Sequence, residues 1–124
     1  MLPTVVLHHQ FPDDHPLGPS HYDWLLDPGG SREHRLITFR LARRPDTPDW
    51  TRFEAERLPD HRAFYLSHQG PVSGDRGTVT RVARGRCEVL RNEPDLLKAR
   101  IEFDAWSGAI LARPHAAGWS IERG

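Results

Sequence analysis

Eleven prolines and ten glycines cut this 124-residue chain into short segments. Between the cuts, apolar residues recur with a period of two. "TVVLHH" (4–9), "HYDWLLD" (21–27) and "HRLITFRLA" (34–42) are rich in β-branched, aromatic and leucine side chains. Such runs, bounded by turn residues, read as strands. "QFPDDHPLGPS" (10–20) is a loop, and "PGGS" (28–31) is a turn that makes a hairpin of its flanking strands. In "LLKARIEFDA" (96–105), Leu97, Ala99, Ile101 and Phe103 alternate with charged residues, which again predicts a strand. "GAILARP" and "GWSIER" end the chain as two more.

The middle reads less regularly. "RRPDTPDWTRFEAE" (43–56) is expected to connect elements, with one or two helical turns in "PDWTRFEAE" capped by Asp49. "ERLPDHRAFYLSH" (56–68) alternates poorly at first and better near its end. "QGPVSGDRG" (69–77) is a glycine-rich turn region, and "TVTRVARGRCEVL" (78–90) reads as a hairpin with "ARG" at its tip. About eight short strands with little helix predict a mainly β protein, an antiparallel β-barrel or sandwich forming one domain over residues 1–124.

Composition narrows the function classes. With 17 basic and 17 acidic residues the formal net charge is zero, so the chain is no polycation that coats nucleic acid; such a contact needs a local basic patch. Cys87 is the single cysteine. Intramolecular disulfides and cysteine-rich zinc sites are thereby excluded, and a reducing compartment is expected. The start "MLPTVVLHHQ" lacks the basic and long apolar regions of a signal peptide, and no apolar run approaches the ~20 residues of a membrane span. A soluble cytoplasmic protein is expected.

Four of the eight histidines (His8, His9, His15 and His21) fall in the first 21 residues, followed by Asp23. In a strand, His21 and Asp23 project from one face and Tyr22 and Trp24 from the other. Two imidazoles and a carboxylate form a common catalytic site for zinc, manganese or iron. Exposed loop histidines and a capping aspartate give the same pattern. His61 and Tyr65 in "LPDHRAFY" suit a phosphate site, or a half-buried histidine beside a core tyrosine. Arg40, Arg43, Arg44 and Arg57 suit bidentate phosphate binding or a solvated face. "SGDRG" suits an anion nest or a plain turn. The tryptophans and phenylalanines read as core.

These segments, in order, resemble the 3′-phosphoesterase domain of bacterial DNA ligase D. "HYDWLLD" resembles "HYDFRLE", and "VVLHHQ" the preceding strand that ends in a metal-binding histidine. "ITFRLARRP" is similar to "KSWAVPKGP", and "AERLPDHRAFY" to "AVRVEDHPLEY". "QGPVSGDRGTVTRVARGRCE" is similar to a longer glycine-rich passage, "EGVIPEGEYGAGTVEIWDRGTWE". The resemblance spans residue 5 to about residue 88; the tail fits loosely.

The resemblance implies a compact β-barrel and a stand-alone, divergent member of the family. It implies a divalent cation, manganese first, with zinc or another transition metal as alternatives. It also implies an enzyme of DNA end repair and non-homologous end joining that removes a 3′-terminal ribonucleotide remnant and then the 3′-phosphate. The metal ligands it implies are His9, His21 and Asp23. His15 is the alternative to His9, because it has the family spacing of six residues before His21, whereas His9 has the strand-end position. The phosphate-site residues it implies are His61, Tyr65, Arg57 and Arg43. Partners are DNA 3′ ends and a separate ligase or polymerase; no membrane contact is expected, and the protein is expected to be a monomer. One departure stands out. Leu25 occupies the position of a family arginine that contacts the scissile phosphate, so Arg40 or Arg76 is the expected substitute. The alternative is a catalytically weakened or inactive module that recognises phosphate-bearing ends or recruits a repair partner.

Overall fold

The computed structural model describes residues 1–30 and 35–124. It contains one antiparallel sheet of nine strands: β1 (Leu2–Gln10), β2 (His21–Leu26), β3 (Arg35–Leu41), β4 (Arg52–Arg62), β5 (Gly70–Pro71), β6 (Thr78–Glu93), β7 (Leu96–Glu102), β8 (Ser107–His115) and β9 (Gly118–Arg123). The strand order β1-β2-β3-β4-β9-β8-β7-β6 returns to β1 through a β1–β6 pairing, so eight strands form a ring, and β5 sits outside it on β6. The expected barrel-like fold is therefore present. Among the described residues the one helical element is a 3-10 turn, Ala63–Leu66. Ser31 of the expected turn and His34 of the expected third strand lie outside the described residues.

Two expectations need correction. The segment around Asp49 forms no helical turns; β4 begins at Arg52. Phe53 and Ala55 pair with Ile121 and Trp119 of β9, and Phe53 is buried with its ring 4.3 Å from that of Trp50. Pairing that buries an aromatic outweighs a local capping preference. The "ARG" tip is no turn either, because β6 runs straight through it. Its first half pairs with β1 and its second half with β7, so the strand is held on one edge and then on the other. Gly85 marks a close approach instead: a Cβ there would collide with the Glu102 carbonyl and the Phe103 ring.

The interior of the ring is filled. Val6, Trp24, Leu26, Phe39, Trp50, Phe53, Ile101, Trp106 and Ile121 belong to one buried cluster. The indoles of Trp50 and Trp106 both donate to the Pro45 carbonyl, at 3.0 and 2.8 Å, which ties the 43–50 connection to the core. β1, β2 and β3 are also buried on their other face. There Val5, Leu7, Leu25, Leu36, Val72 and Val79 form a second cluster, with Tyr65 and Leu66 packed against it. The 3-10 turn and the segment around Val72 thus cover the outside of these strands, and the polar residues of that outer face continue the same rows.

Candidate metal centre

Register sets the site. Across β1, β2 and β3, His9 faces His21, Leu7 faces Asp23, and Asp23 faces Arg40. All share the outer face with Leu25. Asp23 lies between the two imidazoles. His9 Nδ1 is 3.3 Å from Asp23 Oδ2, and His21 Nε2 is 3.1 Å from Asp23 Oδ1. One ligand atom from each of the three lies within 4.8 Å of the others. An ion about 2 Å from each ligand spans about 4 Å, so binding needs a contraction of about 1 Å.

The backbone fixes both tautomers. His21 Nδ1–H donates to the Pro19 carbonyl at 3.3 Å, and His9 Nε2–H donates to the Arg76 carbonyl. A carbonyl only accepts, so the opposite nitrogen of each neutral ring turns a lone pair toward the carboxylate. This is the outer support typical of ligating histidines. His21 Nε2 and Asp23 Oδ1 are buried and form no hydrogen bond despite their closeness. Two acceptors facing each other need a proton or a cation between them. The donor set of two imidazoles and a carboxylate therefore fits a divalent transition metal.

Without a cation, a proton can fill the same gaps. Burial opposes a charge on Asp23, but protonated His21 and His9 on either side of it outweigh burial and hold its carboxyl at about 2. Burial likewise opposes protonation of His9. Its hydrogen bonds to Asp23 and the Arg76 carbonyl, with the Asp23 charge, raise its pKa above the ordinary value.

His15 is not in this group. Its ring packs 5.0 Å from Phe11, and its Nε2 is 3.4 Å from Asp75. Phe11, which the sequence reads only as core, is half-buried and stands among His9, His15 and His21, with ring centroids 4.5, 5.0 and 5.8 Å away. His8 is on the opposite face, stacked on Tyr22.

Beside the cluster runs an open groove of about 610 Å³, lined by Arg35, Arg40, Leu58, Pro59, Asp60, His61, Arg62, Tyr65 and Arg76. Arg40 and Arg76 join it to the cluster, one across from Asp23 and the other through its carbonyl on His9. His61 reaches the groove because of a β-bulge. Thr38 pairs with Leu58, yet Leu36 pairs with His61, so β4 has one extra residue at Pro59–Asp60. Without it, strict alternation would send His61 to the inner face. Proline, which lacks an N–H, suits a bulge. His61 Nδ1–H donates to the Pro59 carbonyl at 3.0 Å, leaving Nε2 for a ligand, and its ring is 5.4 Å from Tyr65.

Arg57 and Arg43 are elsewhere. Arg57 pairs with Phe39, lies over the Phe39 and Trp119 rings at 5.8 and 5.1 Å, and donates to Asn92 at 2.8 Å. Arg43 lies over Phe53 at 5.8 Å. The fold brings His61, Tyr65, Arg40 and Arg76 together, adds Arg35 and Arg62, and leaves Arg57 and Arg43 out. No protein-family model and no curated protein matches the chain.

Proposed function

We propose that this protein is a divalent-metal-dependent phosphoesterase that trims DNA 3′ ends, removing a ribonucleotide remnant and then the 3′-phosphate. The observation that carries this reading is the continuity of the His9–His21–Asp23 cluster with a groove of four arginines, a histidine and a tyrosine. His9 Nδ1, His21 Nε2 and Asp23 would hold the cation, with manganese or zinc suited to the donors. When bound, the cation supplies Lewis acidity at phosphorus and a lower pKa for a coordinated water.

The chain's own groups do the rest. Arg40 and Arg76 bind non-bridging phosphate oxygens and offset developing charge, the work of the missing arginine at Leu25. His61 Nε2 exchanges a proton with a phosphate oxygen, and the Tyr65 hydroxyl orients the group by donating to it. The groove is a basic patch on a molecule of zero formal net charge, which suits gripping a strand end more than a long duplex. The product, a 3′-hydroxyl end, is what a separate ligase or polymerase needs.

The test is a 5′-labelled primer–template ending in a ribonucleotide or a 3′-phosphate, with and without manganese. Manganese-dependent trimming, lost in His21→Ala and His61→Ala and kept in Arg57→Ala, supports the reading. The second reading, a module that binds ends without cutting them, is favoured by Leu25 alone. It would show as manganese-dependent binding of the same strand without turnover.

A further inference from the structure

Phe64 is the one aromatic among the large apolar side chains left exposed on the described surface, with 51% of its area open. It is held in place nonetheless. His68 stacks on it with centroids 4.6 Å apart and 26° between planes, and His68 Nε2–H is anchored on the Pro71 carbonyl at 3.1 Å. Tyr65 meets it edge-on at 5.2 Å. The Arg62 guanidinium lies 5.5 Å from the Phe64 centroid and 5.9 Å from that of Tyr65, and Arg62 also lines the phosphate groove. A rigid, exposed, electron-rich ring thus adjoins a basic groove, with a guanidinium between them.

Nothing in the fold requires this exposure. The second core cluster is closed by Tyr65 and Leu66, not by Phe64. An aromatic ring beside a cationic backbone track is how proteins seat an unpaired base, because every base offers a π-face and arginine adds its own stacking plane. We propose that Phe64, with Arg62, forms a shelf for the nucleobase of the terminal nucleotide whose phosphate enters the His61–Tyr65 groove. This rests on reading that groove as a phosphate-end site. The shelf selects nucleotides over free phosphate while tolerating any base, since it offers stacking and no hydrogen-bond code.

The experiment measures binding and turnover separately. A short strand ending in a 3′-phosphate carries either 2-aminopurine or an abasic residue as its last nucleotide. Wild type should bind the base-bearing strand roughly 5- to 150-fold more tightly than the abasic strand, the range of one base stacked on an aromatic. Phe64→Ala should lose that preference without losing abasic-strand affinity, and Phe64→Trp should keep it. Quenching of 2-aminopurine emission should follow the same order. Phe64→Ala, at an exposed position, should melt as wild type does.

Equal affinity of wild type for the two strands, or equal weakening of both by Phe64→Ala, overturns the shelf. So does failure of wild type to bind either strand. Base-selective binding that depends on Phe64 without any trimming upholds the shelf and defeats the phosphoesterase reading. Trimming with equal rates and affinities on both strands upholds the phosphoesterase and defeats the shelf.

Discussion

Replacing Leu25 by arginine, the residue of the resembling family, tests whether the leucine is a defect in the site or a part of the core. Leu25 is fully buried, with Val5 on one side, Thr38 on the other, and Leu36, Val72 and Val79 in the same cluster. Losing its burial costs about 2 kcal/mol. The carboxylates two residues to either side are already engaged: Asp23 is shared by His9 and His21, and Asp27 accepts from the Gly29 N–H at 2.8 Å. If it pairs there, overpacking still adds about 1–3 kcal/mol; if it stays unpaired, the buried charge costs about 3–5 kcal/mol. The sum is about 3–7 kcal/mol, against about 5–15 kcal/mol for a typical domain.

Urea unfolding followed by tryptophan fluorescence reads this directly, since Trp24 is fully buried beside Leu25. The midpoint of Leu25→Arg should fall by at least about 1 M, and that of Leu25→Met, which conserves volume, by far less. Trimming by Leu25→Arg should not exceed that of wild type, whereas Arg40→Ala and Arg76→Ala should fold normally and lose turnover. A Leu25→Arg protein as stable as Leu25→Met and faster than wild type would refute the argument. Leu25 would then be a lost catalytic position rather than a core residue.

Metal should stabilise the fold through its ligands. Manganese or zinc at about 100 times its Kd adds about 2.7 kcal/mol, or roughly 10 °C in melting temperature, to wild type and nothing to His21→Ala. Without metal, stability should peak between about pH 4 and 6.5, measured by urea titration across pH. Asp23 is depressed from 3.8 to about 2, so its contribution, about 2 kcal/mol, is complete above pH ~4 and is lost as pH falls toward 2; Asp23→Asn removes that acid limb. His9 is raised above 6.5, so its contribution is complete below that pH and is lost as pH rises through the folded value. Cys87 is fully buried and its thiol is pushed up to about 11, mainly by that burial, so a thiol reagent should label it only at the rate of unfolding.

Much of this arrangement was legible in the sequence wherever period-two patterning was unbroken. β2 shows His21 and Asp23 on one face because nothing interrupts its alternation, and β7 buries Leu97, Ala99 and Ile101 as the pattern predicts. Strand position also separates His9, a ligand candidate, from His15, which packs on Phe11. What escaped depended on partners far away in the chain. β4 looks helical because its strand character comes from β9, more than 60 residues later. β6 looks like a hairpin because glycine serves close approach as well as turns. The face taken by His61 depends on a bulge that shows in sequence only as broken alternation at Pro59, and Arg57 follows the pre-bulge register onto Phe39.

The site lies outside the ring because the inside is occupied. Trp24, Trp50, Phe53 and Trp106 are packed within it. A strand buried on one face has its other face free for polar work, but β1, β2 and β3 cover half of that face too. Each outer row therefore runs from apolar to polar: Val5 and Leu7 lead to His9 on β1, and Leu25 leads back to Asp23 and His21 on β2. The candidate ligands begin where the second core stops, and its packing stiffens the rows that carry them. Chemistry that needs ligands held to a fraction of an ångström benefits from strands, while recognition is commonly carried by the segments that connect them. The proposed function divides the same way. The three candidate ligands come from β1 and β2, while Arg76, Tyr65 and Phe64 come from the 63–77 connection. Changes in that connection should alter which ends are accepted before they alter whether the metal binds.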